Sequence, residues 1–448
     1  MGASQSLRAA CDHADALFAK SQHDLARMVY REFSPDIDRL QRAYSIRNGR
    51  WTPPCTPSPS YILFHENYDE VNRTLVGLLS LRWIHLGDYD NFVCSQSPEV
   101  RLTRESFLWI RRFYQQAIVG SDALYALITS IIINDLGKDP QLATDYQKAT
   151  GIDISNSNHD AILLKACDAG LVDSLGKLPS QCKTDIARAI ELGATFNFGQ
   201  LAQAENAPVC LSGLLRMKDC PRSFQLRFME QLLDIAGAGG HMDWTCAKKL
   251  TQPIFESYRN VFDACQGIIA GTLDLRGGYD LILIRRAVTF HNKGFRLMQV
   301  EESQNDRALL RLFCMGNVTT LETTQLFEAT WNALDDSIRG ALVYSLNVDG
   351  QKGEPAVQPT YMPAFLSHMK DGRALTYAFQ YLCRLLTATD VEDSSAVVIE
   401  RSLLEVLKQY VESGKFDQDP TILERIDIPK GVVSQTACGK KATSLNGY

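Results

Sequence analysis

The sequence has little of what would build a sheet, a disulfide framework or a membrane span. Only five of its sixteen prolines fall between residues 99 and 354. None of the twelve cysteines forms a C-x-x-C pair, and several sit in apolar helical surroundings, such as Cys383 in "YLCRLL". That scatter argues against zinc knuckles and for reduced, core-filling thiols in a cytoplasmic protein. No apolar run reaches the roughly 18 residues a bilayer span needs, and no secretory h-region opens the chain, so no stable membrane association is expected. Strand-like stretches are confined to "SYILF" (60–64) and "YDLILI" (279–284), without βαβ alternation or a fixed-period repeat. A G-x-S-x-G elbow, an H-E-x-x-H pair and a P-loop are all missing. With 46 basic and 52 acidic residues the net charge is −6, which argues against a general nucleic-acid binder and leaves room only for a local basic patch.

What is present is helical periodicity. Residues 7–33 space their apolar positions as one amphipathic helix, and "WTPPCTPSPS" (51–60) then forms an extended loop. Helical spacing dominates from 68 to about 345, as in "DALYALITSIII" and "SFQLRFMEQLLDIAG". After the turn-rich "NVDGQKGEPAVQP" (347–359), two more helices are expected over 371–388 and 394–414. The expectation is therefore an all-α chain with little or no sheet. Residues 1–60 carry an N-terminal helix and Pro-rich loop, 61–346 the main helical domain, 347–420 a C-terminal helical part and 421–448 a loop-like tail. "MGASQS" fits the N-myristoylation pattern, but no polybasic second anchor follows it.

Four stretches carry candidate chemistry. "IIINDLGKDP" ends an apolar helix on Asn134, Asp135 and Lys138, and "NSNHDAILLKA" opens another on His159 and Asp160. "AGAGGHMDWTCAKKL" adds His241 at a Gly-rich corner, with Asp243 placed to cap a following helix. In "ATFNFGQLAQAENAP", Asn197, Gln200 and Gln203 recur every three residues. That spacing predicts a stripe of amides along one helix face, with Glu205 near its end. "LIRRAVTFHNKGFRLMQ" gathers Arg285, Arg286, Lys293 and Arg296 among aromatic rings, which suits phosphate contacts and base stacking. Each stretch also has a structural reading, as a helix end, a helix–helix corner or a solvated face.

The first two stretches resemble the HD-domain superfamily of helical metal enzymes, in which an adjacent His-Asp pair ends one helix and later helices add ligands. Here Asp135, Leu136, Gly137 and Lys138 match, and His159 would be a later ligand. Asn134 stands where the motif His belongs, and no His occurs between 86 and 158. An amide is a poor substitute ligand, so the expectation is an HD-like helical pocket without its metal and without a cofactor.

The stretches "TFNFGQLAQAENAP", "AGAGGHMDW" and "PTYMPAFL", with the helical pattern and scattered thiols, also resemble the fungal arginine-containing cyclodipeptide synthases. That resemblance implies a transferase of secondary metabolism. It would take arginyl-tRNA and a second aminoacyl-tRNA and form a diketopiperazine without metal or ATP. Asn134, Asp135, Lys138, His159, Asp160 and His241 would then serve catalysis. Asn197, Gln200, Gln203, Glu205 and Asp243 would bind substrate, and the 285–296 segment the tRNA. An HD-like phosphohydrolase or oxygenase is the alternative, and a non-enzymatic helical interaction protein the second alternative.

Overall fold

A computed structural model describes residues 6–45, 52–389, 391 and 393–434. Gly2 of the myristoylation motif, Cys438 and residues 435–448 of the expected tail lie outside these residues. The chain is predominantly helical, as expected, and has one small three-stranded sheet. Among the described residues no single helix is long and apolar enough to cross a membrane. It divides into two compact units, residues 1–194 with 219–258 and residues 195–218 with 259–448.

In the first unit, helix Asp69–Leu86 packs against helix Pro221–Gly237 at backbone distance. A Cβ on Gly237 would stand 2.7 Å from the Gly77 nitrogen and overlap the Arg73 carbonyl, so only glycine permits this approach. Helix Ser121–Ile133 is buried along nearly its whole length from Leu124, which its largely apolar sequence requires. It stops at Asn134. Leu136–Lys138 make one 3-10 turn, and Asp139 caps helix Pro140–Thr150 by accepting from the Gln141 N–H at 3.0 Å.

The expected N-terminal helix is three pieces, Leu7–Cys11, Ala14–Phe18 and Gln22–Leu40. Ser6 and Ser21 start new helices by side-chain capping, and the third piece is kinked at Phe33, two residues before Pro35. The stretch 60–64 is helical because Pro59 sits in the first turn and Ser58 Oγ accepts from the Tyr61 N–H at 3.1 Å. The stretch 279–284 lies inside helix Leu275–Asn292, which Asp274 caps and an Arg276–Asp280 pair at 2.8 Å supports.

In the second unit, Phe290, Phe313, Phe327 and Phe379 meet edge to face in series at 5.4, 5.9 and 5.7 Å. Helices Leu275–Asn292, Gln304–Met315, Leu321–Ala333 and Gly372–Thr387 close around them. The sheet lies in this unit, in the order β1 (Ala356–Thr360), β2 (Val398–Ser402), β3 (Val432–Ser434). β1 runs parallel to β2 and β3 antiparallel to it. β2 replaces the first half of the helix expected over 394–414, since "AVVIE" is β-branched and pairs on both edges. Pro359 is tolerated because β1 is an edge strand.

Candidate functional site

Four segments of the first unit deliver a buried cluster of opposite charges. Glu70 and Arg73 come from helix Asp69–Leu86, and Asn134, Asp135 and Lys138 from the turn after helix Ser121–Ile133. His159 and Asp160 open helix His159–Asp168, and Arg227, Glu230 and Asp234 share one face of helix Pro221–Gly237. Lys138 Nζ lies 2.9 Å from Asp135 Oδ1 and 3.3 Å from Glu70 Oε2, and Arg73 also pairs with Glu70. Arg227 Nη1 donates to Glu230 Oε2 at 2.6 Å and to Asn134 Oδ1 at 2.9 Å, while its Nη2 stands 3.6 Å from Asp160.

Glycines allow this convergence. A Cβ on Gly137 would fall 2.7 Å from the His159 carbonyl carbon and overlap its oxygen, so the Asp-Leu-Gly turn can press onto the start of the next helix only without a side chain. A Cβ on Gly193 would come 2.7 Å from Arg227 Cζ, so Gly193 makes room for the guanidinium.

Five carboxyl groups (Glu70, Asp135, Asp160, Glu230, Asp234) face three permanent cations (Arg73, Lys138, Arg227). Burial works to raise the Asp135 carboxyl, but Lys138, Arg73 and His159 outweigh it and hold the group well below its usual range. Glu230 goes the other way: burial pushes it up to about 8 against the opposing Arg227 charge. Burial and the neighbouring Asp135 charge push Asp234 up to about 6, against Lys138 and Arg73. Asp234 is only half-buried, and among the described residues no donor hydrogen-bonds its carboxylate. The buried Tyr258 phenol nearby is raised far above its ordinary value by burial and by Asp234 and Glu230. Between Arg73, Thr74, Asn134, Asp135, Glu230 and Asp234 lies a cavity of about 10 Å³, room for about one water molecule.

Asn134 thus accepts a hydrogen bond from a buried arginine, which an imidazole nitrogen would have to do from a different position. The HD-like set Asp135, His159 and His241 does not assemble as ligands. Among the described residues no group of three or more His, Cys, Asp or Glu side chains is placed to hold a metal ion, and Asp135 faces an ammonium instead. These residues do not fit the HD-type metal. His241 is buried in the turns that follow helix Pro221–Gly237. Asp243 caps no helix, because residues 241–250 are turns and the next helix starts at Gln252. It accepts from Ser95 Oγ and from the Thr245 N–H at 3.0 Å, with Lys248 3.9 Å away, and so organises that turn.

The amide stripe is not a helix face either. Asn197 caps the five-residue helix Phe198–Ala202, accepting from the Gly199 N–H at 2.7 Å, and Gln203 follows its end. Gln200 belongs to an amide network of the second unit with Asn206 and Gln358, at 3.1 to 3.4 Å. Glu205 is buried there, accepts the Met362 N–H at 2.7 Å, and is pushed up to about 8 by burial.

In the basic segment every named cation has a partner within the second unit. Arg285 pairs with Asp263 at 2.8 Å and Arg296 bidentately with Asp306 at 2.8 and 2.9 Å. Arg286 and Lys293 donate to the carbonyls of Val318 and Thr319 at 3.3 and 2.7 Å.

Glu70, Arg73, Arg227, Glu230 and Asp234 escaped the sequence reading. Their signal was polar residues at helical spacing inside apolar helices, with Arg227, Glu230 and Asp234 at i, i+3 and i+7. A family model described as a family of unknown function, DUF6829, matches residues 26–423. No curated protein and no solved structure matches the chain.

Proposed function

We propose a function for a chain that belongs to the DUF6829 family: aminoacyl transfer from charged tRNAs, forming an arginine-containing cyclic dipeptide, with the cluster around Asp234 as acid–base centre. The observation that carries this reading is Asp234. It is a half-buried carboxyl without a hydrogen-bond partner among the described residues, raised to about 6 by burial and by Asp135. A carboxyl tuned that close to neutrality, beside fixed cations, suits proton transfer rather than structural pairing.

The chemistry asks for little else. An aminoacyl ester is already activated, so the protein need only orient an α-amine against its carbonyl carbon. The α-ammonium group loses one proton to solvent, and Asp234 takes a second from the amine nitrogen as it bonds to that carbon. It returns the proton to the tRNA 3′ oxygen as the ester C–O bond breaks. A second round within the dipeptidyl ester closes the ring and releases the second tRNA. Arg73 and Lys138 are the cations beside Asp234 that a developing oxyanion can meet.

Purified protein is given arginyl-tRNA with a pool of charged tRNAs, and products are read by mass spectrometry with bound metal assayed in parallel. The expected result is an arginine diketopiperazine, with D234N slowing its formation by about 10²–10⁴-fold and leaving KM for the tRNA near its starting value. No such product, together with stoichiometric iron or manganese, would move the reading to the metal-dependent alternative.

A further inference from the structure

The first unit carries a groove of about 710 Å³ between helices Gln22–Leu40 and Pro59–Phe64, large enough for a small organic moiety. Lys20, Arg27 and Arg31 line it against one carboxylate, Asp24, whose Oδ2 is taken by Ser21 Oγ at 2.7 Å. Asp24, Arg27 and Arg31 follow one another at intervals of three and four residues, so they occupy one face of helix Gln22–Leu40, and Lys20 stands just before that helix begins. Among the described residues neither Lys20 nor Arg27 has a carboxylate within ion-pair reach. In an acidic chain, three cations in one concavity form a focused positive field.

Rings stand beside these cations. Tyr30 lines the groove and packs edge-on against Phe64 at 5.1 Å. His65, in the left-handed conformation with φ 59°, also lines the groove and meets the exposed Tyr61 edge-on at 5.9 Å. Met28, Ile62 and Leu63 also line the groove, so apolar surface lies beside the cations within a concavity, which disfavours a flat bilayer and suits a narrow chain that carries both phosphates and flat rings.

The wall of the groove is tied to the charge cluster. The Ser60 N–H donates to Asn72 Oδ1 at 2.9 Å, and Asn72 is the neighbour of Arg73 on helix Asp69–Leu86. We propose that this groove binds the single-stranded 3′ end of an RNA, its cations on phosphates and its rings on bases. This deepens the aminoacyl-transfer reading and rests on it for the identity of that RNA as a charged tRNA.

The test measures binding of a fluorescent single-stranded RNA ending in CCA to the full chain by anisotropy over a salt series. The R27E/R31E variant is compared with R8E, which lies outside the groove. R27E/R31E is expected to weaken binding by about tenfold or more and to flatten the log–log salt slope by about 1.4, two phosphate contacts' worth. R8E should bind as the unaltered chain does. Unchanged affinity in R27E/R31E with retained helical circular dichroism overturns the proposal, as does binding to phosphatidylserine vesicles without binding to RNA. RNA binding that needs Arg27 and Arg31, without any diketopiperazine, would refute the transferase reading and keep the groove. Product formed by R27E/R31E at undiminished kcat/KM would do the reverse.

Discussion

Replacing Glu205 by glutamine should flatten the pH dependence of stability of the second unit. Glu205 is buried, and its carboxyl is raised from 4.5 to about 8 by burial, with the Met362 N–H and the Glu400 charge as smaller influences. Below pH 4.5 folded and unfolded chains both hold the proton, and this group costs the native state nothing. Between 4.5 and 8 the unfolded chain releases it while the native chain keeps it, so stability falls as pH rises, and the loss is complete above 8. From pH 5 to pH 8 that shift amounts to about 3.5 kcal/mol, an upper figure because local opening admits water. In E205Q the amide oxygen still accepts the Met362 N–H and nothing titrates. Urea unfolding of both proteins at pH 5 and pH 8 isolates the difference, since every other titrating group cancels between them. E205Q should gain on the unaltered protein by about 2–4 kcal/mol across that interval. Parallel loss in the two proteins would show that Glu205 is ionised in the native state at pH 8 and that the reasoning from burial is wrong.

Two further outcomes follow from the cluster's geometry. Gly137→Ala should destabilise the first unit by about 3 kcal/mol or more, read as a lower urea midpoint, because the new methyl overlaps backbone rather than a movable side chain; a midpoint within error of the original would contradict that packing. Asp135→Asn should cost somewhat less than the ~3–5 kcal/mol of removing an only partner from a buried charge, because Lys138 keeps Glu70. Asp234→Asn, by contrast, should be neutral or stabilising, since it removes a carboxylate that Asp135 repels. Equal destabilisation by the two asparagines would show that Asp234 is a structural partner and no free acid–base group.

The helical class was legible from periodicity, and so were several helix ends. Asn158 and Asp139 cap the helices that follow them, and Pro140 and Pro221 sit in first turns. Period and capping are local properties, carried within a few residues. The strand Val398–Ser402 was not legible, because its pairing partners lie about forty residues upstream at 356–360 and thirty downstream at 432–434. A β-branched run reads alike in a strand and in a buried helix.

Chemistry divides in the same way. The sequence by itself put Asn134, Asp135 and Lys138 at the end of a buried helix and His159 and Asp160 at the start of another. It also showed the Asn that breaks a metal-binding motif. Only the tertiary structure decided that Asn134 receives a hydrogen bond from Arg227, that Asp135 faces Lys138, and that Glu230 and Asp234 are pushed toward neutrality. It also separated the amides around Glu205 into the other unit and paired the 285–296 cations with nearby acids and carbonyls. The reason is physical: an ionisable group's role is set by desolvation and by charges within a few ångströms. Those neighbours come from helices far apart in the chain, brought together where Gly77, Gly137 and Gly237 let backbones touch.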